Sequence, residues 1–139
     1  MRIVLDTNVA LSALLWRGTP YRLLATIRQR GDVQLYSSAA LLTELADVLS
    51  RPSIAKRLAL IGRSARDVLS DYVEAVEVVE PQAVPRVVPN DADDDHVIAA
   101  AVASHADAIV SGDTDLLSMG RHEGIQIIDA AQALDQIAP

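Results

Sequence analysis

Residues 90–117, NDADDDHVIAAAVASHADAIVSGDTDLL, hold seven aspartates: Asp91, Asp93, Asp94, Asp95, Asp107, Asp113 and Asp115. An alanine-rich helical stretch and a short apolar run, Ala108-Ile109-Val110, separate the first four from Asp113 and Asp115. Carboxylates thus stand just before a helix and again just after a strand. In a parallel α/β unit, such a helix hands the chain to a strand that returns to the edge where the helix began. Both groups are therefore expected at the C-terminal edge of one sheet, where open α/β folds place their sites. Carboxylates brought together repel one another and favour a divalent cation between them. The expected chemistry is an acidic metal site whose remaining ligands come from elsewhere in the chain.

Two further acids qualify. Residues 2–5, RIVL, read as a short buried strand that ends directly at Asp6, which places Asp6 at the strand's C-terminal tip. Glu44 lies on a helix whose apolar positions, Leu41, Leu42, Leu45, Val48 and Leu49, follow helical spacing, so it sits close to the buried stripe. Asp113 follows a strand over 108–111 by two residues, and Asp94 and Asp95 begin the helix that leads into that strand. Mg²⁺ and Mn²⁺ prefer oxygen ligands and keep several waters, so three or four carboxylates from separate elements suffice. Such a site lowers the pKa of a bound water and neutralises a phosphodiester's developing charge. Each acid also has a plain alternative. Residues 91–95 suit an N-cap and an acidic first turn, Asp6 and Asp115 suit caps, and Glu44 suits an exposed face. The coincidence of several elements at one predicted edge favours the metal site over these separate explanations.

The elements that must position these acids alternate. After the first strand, residues 9–16 read as a helix, and Thr19 and Pro20 open a second one as N-cap and first helical residue. Residues 33–36 (VQLY) are the second strand. Ser37 or Ser38 caps the helix that carries Glu44, and Arg51-Pro52 ends it. Two helices, 54–60 and 64–75, precede a third strand over 76–79. Residues 81–89 contain three prolines and read as an extended loop. A helix over 92–105, a strand over 108–111, a short helix before Met119, a strand over 125–128 and a last helix capped by Asp129 complete the chain. This alternation predicts a parallel sheet covered on both faces, an α/β/α sandwich formed by one domain over residues 1–139.

The 139 residues suffice for one domain with a core, and half of them are hydrophobic. The chain has no cysteine, which excludes disulfides and thiolate metal sites and fits a reducing cytoplasm. Its apolar N-terminus carries Asp6 and Asn8 and reads as neither a signal peptide nor a membrane span. Residues 17–66 carry nine basic and three acidic residues, whereas residues 67–139 carry two and fifteen. That asymmetry suits a polyanion crossing a basic flank to reach a metal-loaded acidic pocket.

Four short motifs carry a resemblance to the PIN domain, the nuclease fold of VapC-like toxins and related ribonucleases. MRIVLDTNV at residues 1–9 resembles its opening strand and Asp-Thr-Asn signature. Glu44 in LLTELADVL, Asp95 in DHVIAAAV and Asp113 in SGDTDLL resemble its later acidic positions. The doubled Asp94-Asp95 and the SGDTDLL ending are most similar to toxin components of toxin–antitoxin pairs. The resemblance implies a five-stranded parallel sheet in the order 3-2-1-4-5 and Mg²⁺- or Mn²⁺-dependent hydrolysis of single-stranded RNA. It implies Asp6, Glu44, Asp95 and Asp113 as the catalytic, metal-holding quartet, with Thr7, Asn8 and Ser111 as polar neighbours. Asp91, Asp94 and Asp115 are second-tier. Ser111 stands where threonine is common, and both offer a hydroxyl. Arg51, Lys56, Arg57, Arg63 and Arg66 are candidates to guide the RNA backbone, since phosphate contacts give affinity without reading sequence.

The toxin role implies a cognate antitoxin. A homodimer is expected because the aliphatic residues 9–15 exceed what a small core needs. Alternatives are a PIN nuclease of RNA processing and an idle domain that binds metal or a partner. A metal-dependent phosphatase with an aspartyl nucleophile is disfavoured, because Asn8 stands where its second aspartate would be.

Overall fold

The computed structural model describes residues 1–82 and 92–138; residues 83–89 of the expected extended loop and the candidate Asp91 lie outside them. Three residues of the first strand, β1 (Arg2–Leu5), are buried, because neighbours pair on both its edges and helices cover both faces. The β-period sends alternate side chains to opposite sides. Ile3 and Leu5 join one apolar cluster, and Val4 joins the other.

β1 leads into α1 (Thr7–Leu15) and α2 (Thr19–Gln29). β2 (Gln34–Ser38) and α3 (Ala39–Leu49) follow, then α4 (Pro52–Ile61), α5 (Ala65–Ala75) and β3 (Val76–Val79). The acidic half comprises α6 (Ala92–Ala103), β4 (Ala108–Val110), α7 (Thr114–Met119), β5 (Arg121–His122), β6 (Ile125–Ile128) and α8 (Ala130–Ile137). The sheet order is β3-β2-β1-β4-β6-β5. The first five of these strands run parallel in the expected order, and β5 pairs antiparallel on the outer edge of β6. That sixth strand is an addition to the expected five. It arises from a two-residue turn in which Glu123 and Gly124 both have positive φ, 48° and 81°. This conformation matches the twist of a tight hairpin and suits glycine.

One cluster, under α1, α2, α3, α5 and α8, contains Leu5, Leu23, Leu45, Val68, Val110 and Ile137. The other, under α6 and α7, contains Val4, Ile98, Ala101, Ile109, Leu116 and Ile127. Within α6, residues 94–101 are buried except His96, which is half-buried. The run of alanines lets this helix lie close against the sheet with little side-chain entropy to lose.

Local details differ from the sequence reading at three helix starts. Helix α1 begins at Thr7 rather than Val9, because Asp6 caps it. Gly18, not Thr19, caps α2, and the Thr19 hydroxyl instead accepts from the Arg22 guanidinium at 3.2 Å. Asp113 caps α7, so Asp115 is a first-turn acid and not the cap. The aliphatic stretch of α1 also has a different use from the one expected. Val9, Ala10, Leu11, Ala13 and Leu15 are all buried within the protomer, so its own core accounts for them. Among the described residues no helix is long and apolar enough to cross a membrane.

Candidate active site at the C-terminal edge of the sheet

The centre of the site is the crossing from β1 into α1. The Asp6 amide continues the ladder by donating to the Val110 carbonyl at 2.9 Å, which locks the end of β1 to the end of β4. The Asp6 carboxylate then serves two ends. Oδ1 accepts from the Thr7 amide at 2.8 Å, and Oδ2 accepts from the Ser111 hydroxyl at 2.7 Å. Ser111 Oγ in turn accepts from the Asp113 amide at 3.0 Å. One hydroxyl therefore couples the carboxylate of β1 to the backbone that presents Asp113. A threonine could make the same two bonds, whereas alanine would make neither. Asp113 Oδ1 accepts from the Asp115 amide at 2.7 Å, and Asp115 itself is exposed.

The acids at the head of α6 are deeply buried. Asp94 and Asp95 are 4% and 0% exposed, close to the 6% of Asp6. Helix α6 packs against β1, β2 and β4, which brings its first turn toward the edge where β1 and β4 end. Glu44 lies half-buried in the second turn of α3, and α3 packs against α1 and α6. Asn8 is exposed in the first turn of α1. Thr7 is 3% exposed, and its hydroxyl oxygen makes no hydrogen bond among the described residues. A polar atom left this way favours a ligand or an ordered water beside it.

Hydrogen bonds join Asp6, Ser111 and Asp113 directly, and the packing of α3 and α6 brings Glu44, Asp94 and Asp95 toward the same region. Among the described residues, no three acidic or histidine side chains stand together as a ready metal cage. The donors are nonetheless all oxygen, and most are withdrawn from solvent. That chemistry suits a hard divalent cation that retains part of its water shell.

The five candidate RNA guides sit elsewhere. Arg57 Nε donates to the Leu15 carbonyl at 2.7 Å, and its guanidinium lies 5.4 Å from the Trp16 ring centre. It is thereby fixed at the far end of the nine-residue α1, about 13 Å of helix away from Asp6. Arg51 pairs with Asp47 and Arg63 with Asp71, while Lys56 and Arg66 are exposed. The Arg63 guanidinium holds the Asp71 carboxyl below the usual carboxylate range.

The structure adds a cleft of about 350 Å³ that the sequence reading missed. It opens beside Asn8 and Ser111, between α1, the start of α2 and the start of α8, and it includes Asp129. A signal for it was present in the sequence. Asp129 follows the strand next to β4, so the reasoning that put Asp6 and Asp113 at this edge places Asp129 there as well.

Comparisons with known proteins agree with this architecture. VapBC2 from Rickettsia felis, solved bound to a DNA fragment from its promoter, matches at 15% identity and a TM-score of 0.62, covering 91% of this chain and 97% of that one. VapBC-1 from nontypeable Haemophilus influenzae matches at 14% identity and a TM-score of 0.63, covering 94% and 99%. FitAcB from Neisseria gonorrhoeae matches at 20% identity and a TM-score of 0.55, covering 93% and 98%. At such identities the likeness concerns the fold. Among curated proteins, none matches the sequence. The PIN domain family model matches residues 2–115, from the strand that delivers Asp6 to the helix that Asp113 caps, and the chain belongs to the PIN domain family.

Proposed function

We propose that this chain is a divalent-metal-dependent endoribonuclease that hydrolyses single-stranded RNA and acts as the toxin of a toxin–antitoxin pair. The observation that carries the reading is the coupling of Asp6 to Asp113 through Ser111, beside the buried acids that head α6. Asp6, Glu44, Asp95 and Asp113 would hold Mg²⁺ or Mn²⁺, and Asp94 and Asp115 stand next to this set. When bound, the cation supplies a water of lowered pKa and offsets the negative charge that grows on the phosphate.

The chain's own residues do the positioning. Ser111 keeps the Asp6 carboxylate and the Asp113 backbone in fixed relation. Thr7 and Asn8, in the first turn of α1, offer polar atoms toward the same edge. Hydrolysis joins the water oxygen to phosphorus as the P–O3′ bond breaks, so the products carry 5′-phosphate and 3′-hydroxyl ends. Arg51, Lys56, Arg57, Arg63 and Arg66 are proposed to attract the backbone more distantly, with affinity that falls as salt rises.

The partner reading draws on the structural neighbours, which include VapBC proteins. A small antitoxin would insert an apolar helix and a basic side chain at the acidic edge. A cytoplasmic location and a homodimer belong to the same reading, and light scattering of the purified chain tests the latter. For the main proposal, the test is single-stranded RNA with Mn²⁺ or Mg²⁺, wild type beside Asp6→Asn and Asp113→Asn. Cleavage by the wild type alone is expected, and equal cleavage by all three would overturn it. An idle metal-binding domain would show cation binding without any cleavage.

A further inference from the structure

We infer that the cleft between α1, α2 and α8 holds the nucleoside next to the scissile phosphate, and that Asp129 selects bases carrying an amino group over uracil. This rests on the ribonuclease reading above. The cleft lies beside the site, because Asn8 and Ser111 line it and Ser111 also binds the Asp6 carboxylate. Its volume of about 350 Å³ suffices for one nucleoside. Val9, Pro20 and Ala130 supply apolar wall, which suits the faces of a base.

Asp129 supplies the polar discrimination. Its Oδ1 accepts from the Gln132 amide at 2.8 Å, and the Gln132 side chain reciprocates to the Asp129 amide at 3.0 Å. This capping box fixes the carboxylate at the head of α8. Its Oδ2 has no hydrogen bond among the described residues, so it can accept a hydrogen bond from a ligand. The exocyclic amino groups of cytosine, adenine and guanine donate to a carboxylate. Uracil has one ring N–H flanked by two carbonyl oxygens, which a carboxylate repels. Asp129→Asn keeps a good cap but replaces part of the acceptor with a donor, so it alters recognition while preserving the helix.

The experiment uses full-length protein and short single-stranded RNAs that differ only in the base on either side of one cleavable bond. Cleavage is read with Mn²⁺, and binding of the same labelled RNAs is read by fluorescence anisotropy with Ca²⁺. The wild type is expected to favour amino-bearing bases on one side by roughly tenfold, and Asp129→Asn to lose that preference. Ala131→Trp, which fills the mouth of the cleft, is expected to weaken binding and raise KM at least several-fold with little change in kcat. Thermal melting of both variants reports whether α8 remains folded. Equal base preference and equal binding across wild type and both variants would overturn the cleft assignment. Base-selective binding by a wild type that never cleaves would instead uphold the cleft and overturn the nuclease reading.

Discussion

The two edges of the sheet bury their acidic residues to different depths. At the N-terminal edge, acids tie the chain together. The Asp32 carboxylate pairs with the Arg30 guanidinium at 2.7 Å, the N-terminal ammonium donates to the Asp32 carbonyl, and Asp107 accepts from the Arg2 amide at 2.7 Å. Arg30 also donates to the Ile137 carbonyl, and Arg2 to the Ser104 carbonyl, so these cations close the ends of α8 and α6. Asp32 remains 67% exposed, and pairing with Arg30 holds its carboxyl down at about 2. At the C-terminal edge, Asp6, Asp94 and Asp95 are buried, and the contacts of the Asp6 carboxylate include the Ser111 hydroxyl and the Thr7 amide. Withdrawing a carboxylate from water carries a desolvation cost that its local hydrogen bonds must offset. The N-terminal edge ties the chain together, and the other edge carries the acids of the proposed nuclease site.

The strongest way to break this contrast is to neutralise one acid at each edge. Asp6→Asn and Asp113→Asn are expected to lower RNA cleavage by about 100-fold or more, the scale for removing one transition-state contact, with melting temperature held or raised. Asp107→Asn should leave cleavage unchanged and cost under about 1 kcal/mol of stability, because the amide oxygen still accepts from the Arg2 amide but without the carboxylate's charge. If Asp107→Asn reduced the cleavage rate as much as Asp6→Asn, the division of labour would fail.

Cation binding sharpens the comparison without any substrate. Mn²⁺ at about 100 times its dissociation constant should stabilise the wild type by about 2.7 kcal/mol, seen as a rise in melting temperature. Asp6→Asn and Asp113→Asn should lose most of that rise, and Asp107→Asn should keep all of it. A rise shared equally by every variant would place the cation away from the C-terminal edge.

Ser111→Ala tests the coupling itself. It removes the donor to Asp6 Oδ2 and the acceptor for the Asp113 amide, with an expected cost of about 1–3 kcal/mol in chemical denaturation. Its cleavage rate should fall roughly tenfold, and Ser111→Thr should restore the rate, because the hydroxyl returns. Full activity in Ser111→Ala would remove this residue from the site.

The smallest effect is the pH dependence of the exposed pair. Asp32 titrates near 2 in the folded chain against an ordinary 3.8, with the Arg30 hydrogen bond as the main cause. A depressed carboxyl contributes stability that is fully present above 3.8 and disappears as pH falls through 2. The stability difference between wild type and Asp32→Asn should therefore be slight at neutral pH and vanish by pH 2 in urea denaturation. A difference that grew on acidification would show that Arg30 and Asp32 do not pair in solution.

Much of this molecule was legible before any coordinates. The apolar run of β1 ending in Asp6, the Ser38 cap before α3 and the alanines of α6 fixed strand and helix type through local periodicity and capping. Asp6 and Asp113 could be assigned to one edge because parallel strands share a direction. The hairpin at Glu123-Gly124 is not legible in the sequence, because two-residue strands carry no periodicity. The start of α2 was misplaced because both Gly18 and Thr19 suit a cap, and only the contact with Arg22 decides between them.

By itself, then, the sequence determined which residue types could do chemistry, and at which end of which element they fall. Those properties depend on neighbours within a few positions, where spacing and charge act directly. Only the tertiary structure decided that Ser111 joins Asp6 to Asp113 across 105 positions of chain, that α1 uses its aliphatic residues internally, and that Asp129 lines a cleft beside Ser111. Those outcomes depend on which strands become neighbours and how deeply each helix packs. They are properties of the whole core, and no single stretch of sequence carries them.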